Sequence, residues 1–419
     1  MNYLFHIASI IPFIILDIVS YLGFKRAFPQ FALRYYRQIR YVFLIQAVFS
    51  MIILLGGHFL DRQVSNYRLI AWYYYFFGIV VTLYLPKGVF MAFLFVDLIF
   101  ATISKFQRRL FDKFPRGSRC VFAKCGFWTS VVFAFIVVWG ILFGRNNFSV
   151  DHVGIYIDEL PSAFHGYKIV HISDLHAGSF AWSTDRFQKA VDLINQQEPN
   201  LIVCTGDMVN NFAAELTPLI PVFSQLKAPD GKYAVLGNHD YGGYYDWNHP
   251  ADSIADHEAL KNAIEQMGFA LLNNQSVVIS RYNSDKMALI GVENWGKEKR
   301  FPKRANLIQA MESVHDIPFK VLLVHDPLFW HYFVEGKTDI ALTLAGHTHG
   351  MQIGVKFRNK RYSVSPPERS RFLEGLYSTD TQNLYVNRGL GVIGFPGRIG
   401  MPPEITVISL WKVRTPEQQ

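Results

Sequence analysis

Two kinds of apolar pattern divide this chain near residue 145. Before that point the hydrophobic runs are long: Tyr3 to Gly23, Tyr41 to Leu60, Leu69 to Ile103 and Phe127 to Phe143. Each is long enough, or nearly so, to cross a hydrocarbon core of about 30 Å as a helix. The third is interrupted by Pro86-Lys87-Gly88; its halves are short for separate crossings, so it reads as one tilted or kinked span. After residue 145 the runs shorten to strand length: Tyr167 to Ile172, Leu201 to Thr205, Tyr233 to Leu236, Lys320 to Val324 and Ile340 to Ala345. Helix-like stretches, Ser183 to Gln197 and Asp252 to Gln266, fall between them. The second carries Ile254, His257, Leu260, Ile264 and Met267 at helical spacing. Strands dominate from Ser276 to Val292 and from Leu384 to Trp411. The pattern predicts transmembrane α-helices over residues 1–145, about four, followed by an α/β domain over 146–419.

Charge refines that division. The chain of 419 residues carries a net +8, is 50% hydrophobic and has a mean hydropathy of +0.14. Sixteen Lys or Arg and four Asp lie between Met1 and Val150, a net of +12, which leaves −4 for the remainder. Basicity confined to the membrane half argues against a nucleic-acid enzyme and for topology signals. Lys25 to Arg40 carries five positive residues and Lys105 to Lys124 seven, whereas Asp61 to Arg68 carries two. Four spans put both basic loops on the cytoplasmic side of the cytoplasmic membrane and the second domain on its outer face; five spans would split them. Cys120 and Cys125 then lie in a reducing loop, and Cys204 in an apolar strand reads as core, so no disulfide is expected. Asp17, Lys87 and Asp97 fall within apolar spans. They mark either an ion path or an internal pairing that fixes helix packing.

Candidate chemistry sits just past the short strands, where an α/β sheet presents its functional groups. The blocks are His171-Ile172-Ser173-Asp174-Leu175-His176, Gly206-Asp207-Met208-Val209-Asn210, Gly237-Asn238-His239-Asp240, Val324-His325-Asp326 and Gly346-His347-Thr348-His349-Gly350. Alone, Asp174-x-His176 reads as a strand-end turn and Gly237-Asn238-His239 as a tight turn. In fixed order after five strands they supply three carboxylate or amide oxygens and four imidazoles, enough for two divalent ions. That mixed donor set suits Mn, Fe or Zn. His239 follows Asn238 directly, so it is the candidate for proton or charge work on a substrate. Asp240 is placed to orient its ring, and Asn210 to support the neighbouring ligands. His171 reads as a core or supporting histidine.

The order and wording of these blocks resemble the calcineurin-like metallophosphoesterases, whose pattern is D-x-H, G-D-x-x-D/N, G-N-H-D/E, H and G-H-x-H. The resemblance covers roughly Val150 to Lys412, and a narrower likeness is to the membrane-associated branch. It extends to Asn387-Arg388-Gly389-Leu390-Gly391 and Pro403-Glu404-Ile405. It implies a two-sheet sandwich flanked by helices, with Asp207 bridging two metal ions. Asp174, His176 and His349 would complete one site, and Asn238, His325 and His347 the other. The implied reaction is phosphoester hydrolysis by a metal-bridging hydroxide, with no covalent enzyme intermediate.

Substrate signals are aromatic and basic. Tyr241, Tyr244, Tyr245, Trp247, Trp295 and Phe395 lie near the blocks; they form either an apolar channel or ordinary core. Arg398, in the Gly-rich tail, is a candidate for gripping phosphate. The expected partners are the bilayer and a phosphodiester or pyrophosphate that is lipid-linked or envelope-derived. A UDP-2,3-diacylglucosamine hydrolase is the second reading and a silent membrane sensor the third.

Overall fold

The computed structural model describes residues 3–413 apart from 111–119, 181–182, 283–284, 297–300, 302, 359 and 367–370. The centre of the basic loop expected between Lys105 and Lys124 thus lies outside the described residues. The chain separates into two compact units, Met1–Leu60 with Trp72–Leu142, and Asp61–Ala71 with Phe143–Gln419.

The first unit is built from α1 (Tyr3–Ala27), the short α2 (Pro29–Arg34), α3 (Tyr36–Gln63), α4 (Tyr67–Leu110) and α5 (Val121–Leu142). Among the described residues three segments are long and apolar enough to cross a membrane: Tyr36–Gly57, Tyr67–Ile103 and Val121–Asn146. The interrupted stretch is one continuous helix with Pro86 inside it. At 1.5 Å per residue its 37-residue apolar segment, Tyr67–Ile103, runs about 55 Å. Its polar residues are paired across helices. Lys87 donates to both Asp17 of α1 and Gln46 of α3, and Tyr84 donates to Asp17 at 2.6 Å. Asp97 is ion-paired with Arg26 at 2.5 Å rather than with Lys87. Carboxylates in apolar surroundings persist when a cation and hydrogen bonds satisfy them, which accounts for both.

The second unit is a sandwich of two mixed six-stranded sheets. One sheet orders β1 (Ser149–Ile157), β14 (Glu404–Lys412), β2 (Tyr167–Ile172), β3 (Leu201–Cys204), β4 (Lys232–Ala234) and β5 (Ala270–Leu271). The other orders β12 (Gly375–Ser378), β13 (Asn383–Val386), β9 (Leu342–Ala345), β8 (Lys320–Leu323), β7 (Asp285–Gly291) and β6 (Gln275–Arg281). A separate two-stranded ribbon pairs β10 (Val355–Phe357) with β11 (Lys360–Tyr362). Strand alternation explains the unbroken apolar runs. Ile169, Val203, Leu289, Val321 and Leu344 fill the layer between the sheets. Val170, Ile172 and Cys204 face outward beneath Phe187 and Val191 of α6 (Asp185–Asn195) and Leu260 and Ile264 of α7 (Pro250–Gln266). The other outer face buries Ile290 and Leu322 against Trp330 and Val334. Strands β2, β3 and β4 run parallel, as do β7, β8, β9 and β13. Their carboxyl ends therefore gather the polar blocks at one edge of the sandwich.

Candidate metal centre

The loops after β2 and β3 are zipped together by backbone bonds. Asp174 donates its N–H to Gly206 O at 2.9 Å, and His176 donates to Asp207 O at 3.1 Å. Five of the candidate ligands hold left-handed backbone: Asp174 at φ 50°, His176 at 44°, Asp207 at 54°, His347 at 72° and His349 at 54°. Non-glycine residues in this region cost of order 1–3 kcal/mol each and concentrate at functional sites. Glycine is required where the loops touch. A Cβ on Gly237 would run into Asp207 Oδ1, and Gly206 itself sits at φ 93°.

Among the described residues the side chains converge in three overlapping groups, two built from the candidate ligands and joined at Asp207, the third formed by His176, Asp207 and His239. Asp174, His176 and His349 offer donor atoms within 4.8 Å of one another, as do Asp207, His325 and His347. In the first group His176 Nε2 and His349 Nε2 are 3.1 Å apart, and His349 Nε2 is 3.2 Å from Asp174 Oδ1. In the second, His325 Nε2 lies 3.1 Å from Asp207 Oδ2, 3.1 Å from Asn238 Oδ1 and 3.0 Å from His347 Nδ1. His176 Nε2 reaches Asp207 Oδ2 at 3.7 Å, which joins the groups.

Supporting bonds aim these rings inward. His325 donates Nδ1–H to Thr205 O at 2.8 Å, and His176 donates Nδ1–H to Asn210 Oδ1 at 3.0 Å. With the protons outside, the Nε2 lone pairs of His176 and His325 point toward carboxylate oxygens and other imidazoles. Charge balance at that convergence demands a cation. Burial opposes ionisation of Asp174 and Asp207, yet facing histidines hold both carboxyls well below their usual range. Burial also disfavours charge on His325, but Asp207 and Asp174 push its imidazole up to about 10. The donor set thus draws a proton to the place where a metal ion would supply charge, and its oxygens and nitrogens fit a pair of divalent ions.

His239 stands beside this convergence, half-buried. Its backbone N–H donates to Asp207 Oδ1 at 2.8 Å, and its ring donates Nδ1–H to Asn210 O at 2.8 Å. Tyr244 stacks on the ring with centroids 4.3 Å apart, and its hydroxyl accepts from Asn238 Nδ2 at 2.9 Å. Asn210 therefore holds two histidines, one through its side chain and one through its carbonyl.

Two expectations are corrected. Asp240 does not orient the His239 ring. Its carboxylate accepts backbone N–H groups from Gly237, Asp207 and Met208 at 2.8 Å each and from Val209 at 3.3 Å. Asp240 is thereby the clasp between the Gly206 and Gly237 loops. Arg398 does not reach into the site. It is buried, and its guanidinium donates to the carbonyls of Gly391 at 2.8 Å, Arg388 at 2.6 Å, Gly389 at 3.1 Å, Met401 at 3.1 Å and His349 at 3.3 Å. With every nitrogen engaged it scaffolds the tail around His349, leaving no donor for a phosphate.

Sequence reasoning missed Glu215. Its carboxylate gathers the N–H groups of Gly178 at 2.9 Å, Asn210 at 2.5 Å, Asn211 at 2.9 Å and Phe212 at 3.0 Å, which fixes the Asn210 loop. A lone acid in the apolar stretch Phe212 to Leu219 was the available signal. Arg388 and Glu404, noted only as wording, form a buried pair at 3.0 Å. Arg388 also bonds Asp151 at 2.8 Å and Glu374 at 2.5 Å. His171 is buried against Thr205 Oγ1 at 2.9 Å.

Residues 167–351 match the family described as calcineurin-like phosphoesterase. Over 255 residues the chain is 32% identical to YkuE of Bacillus subtilis (strain 168), an uncharacterized metallophosphoesterase, covering 60% of this chain and 81% of that protein. It is 26% identical over 332 residues to a transmembrane protein with metallophosphoesterase domain of Danio rerio, covering 77% and 71%. It is 29% identical over 300 residues to LpxG, the UDP-2,3-diacylglucosamine pyrophosphatase of Chlamydia muridarum, covering 59% and 86%.

Proposed function

The chain belongs to the calcineurin-like phosphoesterase family, and from that premise we propose that it is a membrane-anchored, two-metal phosphoesterase acting on a lipid-linked or envelope-derived phosphodiester or pyrophosphate. The observation that carries this reading is the pair of donor groups meeting at one carboxylate, Asp207. Asp174, His176 and His349 would hold one ion and Asn238, His325 and His347 the other, with Asp207 within reach of both groups. Divalent Mn, Fe or Zn bound there would supply an activated water and neutralise charge on the phosphoryl oxygens.

The protein's own part is positioning and proton handling. With Nδ1–H anchored on Asn210 O, His239 presents Nε2 to the substrate. There it steadies charge on a phosphoryl oxygen and gives a proton to the leaving alkoxide. Tyr244 braces that ring.

Residues 1–145 form the membrane domain, with Tyr3 to Gly23 as a fourth crossing beside the three apolar segments, and residues 146–419 the catalytic domain. The positive-inside bias of the two strongly basic loops supports an extracytoplasmic catalytic domain on the cytoplasmic membrane. That face favours an envelope phosphoester. The likeness to LpxG favours UDP-2,3-diacylglucosamine as the second substrate reading.

The test is hydrolysis by the full chain in detergent with added Mn²⁺, against bis-p-nitrophenyl phosphate, p-nitrophenyl phosphate and UDP-2,3-diacylglucosamine. Metal-dependent cleavage lost in Asp207→Ala establishes the enzyme, and the preferred compound separates diester, monoester and nucleotide-lipid readings. Two bound metals with no turnover on any of them would move the assignment to a silent sensor.

A further inference from the structure

Outside the metal centre, the catalytic domain carries the β10–β11 ribbon, which opens six positions after His349. Its register sets Val355 opposite Tyr362, Lys356 opposite Arg361 and Phe357 opposite Lys360. Side chains alternate across a strand, so Val355, Phe357, Lys360 and Tyr362 share one face and Lys356 and Arg361 the other. The second face is tied down, with Arg361 paired to Glu374 at 3.2 Å. The base is fixed by Gly354 N–H on Ile399 O at 2.8 Å and by Ser363 Oγ–H on Ile353 O at 2.6 Å.

The first face is uncovered. Val355 is 67% exposed, Phe357 63% and Tyr362 56%, and Val364 just beyond is 98% exposed. Lys360 shares this face, Arg358 lies over the Phe357 ring at 5.7 Å, and Lys356 is exposed on the opposite face. Among the described residues, the neighbouring carboxylates Asp151 and Glu374 are already bound by Arg388, at 2.8 Å and 2.5 Å. Protein interfaces deplete lysine around their apolar centres. A bilayer interface instead takes apolar and aromatic side chains between headgroups, with Lys and Arg reaching to anionic phosphates. The chain itself carries segments apolar enough to cross a membrane. β1 opens at Ser149, shortly after the last of them, Val121–Asn146, so the tether keeps this domain near a bilayer.

We propose that the β10–β11 ribbon is a membrane-interface anchor that inserts Val355, Phe357, Tyr362 and Val364 among anionic lipid headgroups, holding the metal centre where an amphiphilic phosphoester is presented. The proposal deepens the substrate reading above and rests on it.

The test uses the full chain in lipid nanodiscs, with Cys120 and Cys125 changed to Ser and Cys204 left in the core. A bimane fluorophore is attached at Val364→Cys, or as reference at Tyr282→Cys, which is also strongly exposed. Discs of phosphatidylcholine with phosphatidylglycerol, brominated in the acyl chains, act as quencher. The expected result is quenching at position 364 at least about twofold stronger than at 282, weakened in phosphatidylcholine alone and in Lys356→Glu/Lys360→Glu. Equal quenching at both positions overturns the proposal. So does quenching indifferent to phosphatidylglycerol and to the charge reversal, or position 364 shielded by a second copy of the chain. Hydrolysis of bis-p-nitrophenyl phosphate, p-nitrophenyl phosphate and UDP-2,3-diacylglucosamine by the same variants keeps the two ideas apart: turnover retained with quenching absent refutes the anchor alone, and quenching without turnover on any of the three in the unsubstituted chain refutes the enzyme reading alone.

Discussion

The carboxylate of Asp240 accepts the backbone N–H of Asp207 at 2.8 Å. Together with its bonds to Gly237, Met208 and Val209, that contact makes Asp240 the fastening between two ligand-bearing loops. Asp240→Ala should therefore lower metal affinity about 10- to 100-fold and cost about 3 kcal/mol of stability by leaving buried N–H groups without an acceptor. Mn²⁺ titration calorimetry and urea unfolding read the two effects. Unchanged metal affinity with a selective loss of kcat would return Asp240 to the role of orienting His239.

Asn210→Ala removes the acceptor for His176 Nδ1 while leaving the carbonyl that holds His239. We expect weaker occupancy of the Asp174–His176–His349 group, about 10-fold or more in affinity, with the other group less affected. Metal content after graded chelation, measured by mass spectrometry, should show one ion lost before the other. Simultaneous loss of both would contradict this separation.

His239→Ala and Asp207→Ala should part company. The first leaves the converging donors in place, so two metals per chain are retained while kcat falls about 10²- to 10⁴-fold. The second removes the shared carboxylate, and both metals and turnover go with it. If His239→Ala also emptied the site of metal, His239 would be a ligand and not a proton donor.

His171 is fully buried, and burial holds its imidazole at about 3, with Asp174 pulling weakly the other way. A folded pKa below the unfolded value of 6.5 gives stability that is complete above 6.5 and lost as pH falls from there toward 3. The loss amounts to about 2 kcal/mol between about pH 7 and pH 5. Urea midpoints for the unsubstituted chain and His171→Gln should converge over that interval; parallel curves would show that this histidine is not the source.

Arg398→Met tests the scaffold assignment. Losing a guanidinium that serves five carbonyls should destabilise the domain by about 3 to 5 kcal/mol, with KM for bis-p-nitrophenyl phosphate unchanged in the folded fraction. A raised KM at unchanged stability would mean that the side chain reaches substrate after all.

The boundary between how far sequence reading carries here and where it stops follows the range of the forces involved. Strand-end motifs are local: an apolar run ends, and the next residues are Asp174, Asp207, Asn238, His325 and His347, so the convergence is legible once parallel strands are assumed. Membrane-crossing stretches are legible for the same reason, because hydropathy over a window needs no partner. The pairing of Asp17 with Lys87 could be anticipated, since buried opposite charges in an apolar medium have few other solutions. What Asp240, Arg398 and Glu215 bind was not legible, because their partners are backbone groups whose positions depend on how distant loops close. The insertion of β14 between β1 and β2 brings Glu404 to Arg388 and Arg388 to Asp151, across 237 residues of chain. Which side chains share a face of the β10–β11 ribbon is equally a matter of register, since one step of slippage would exchange the faces of Phe357 and Lys356. Residue types and their order prescribed the chemistry available, whereas long-range strand pairing chose which polar groups converge on the candidate metal centre and which serve the scaffold.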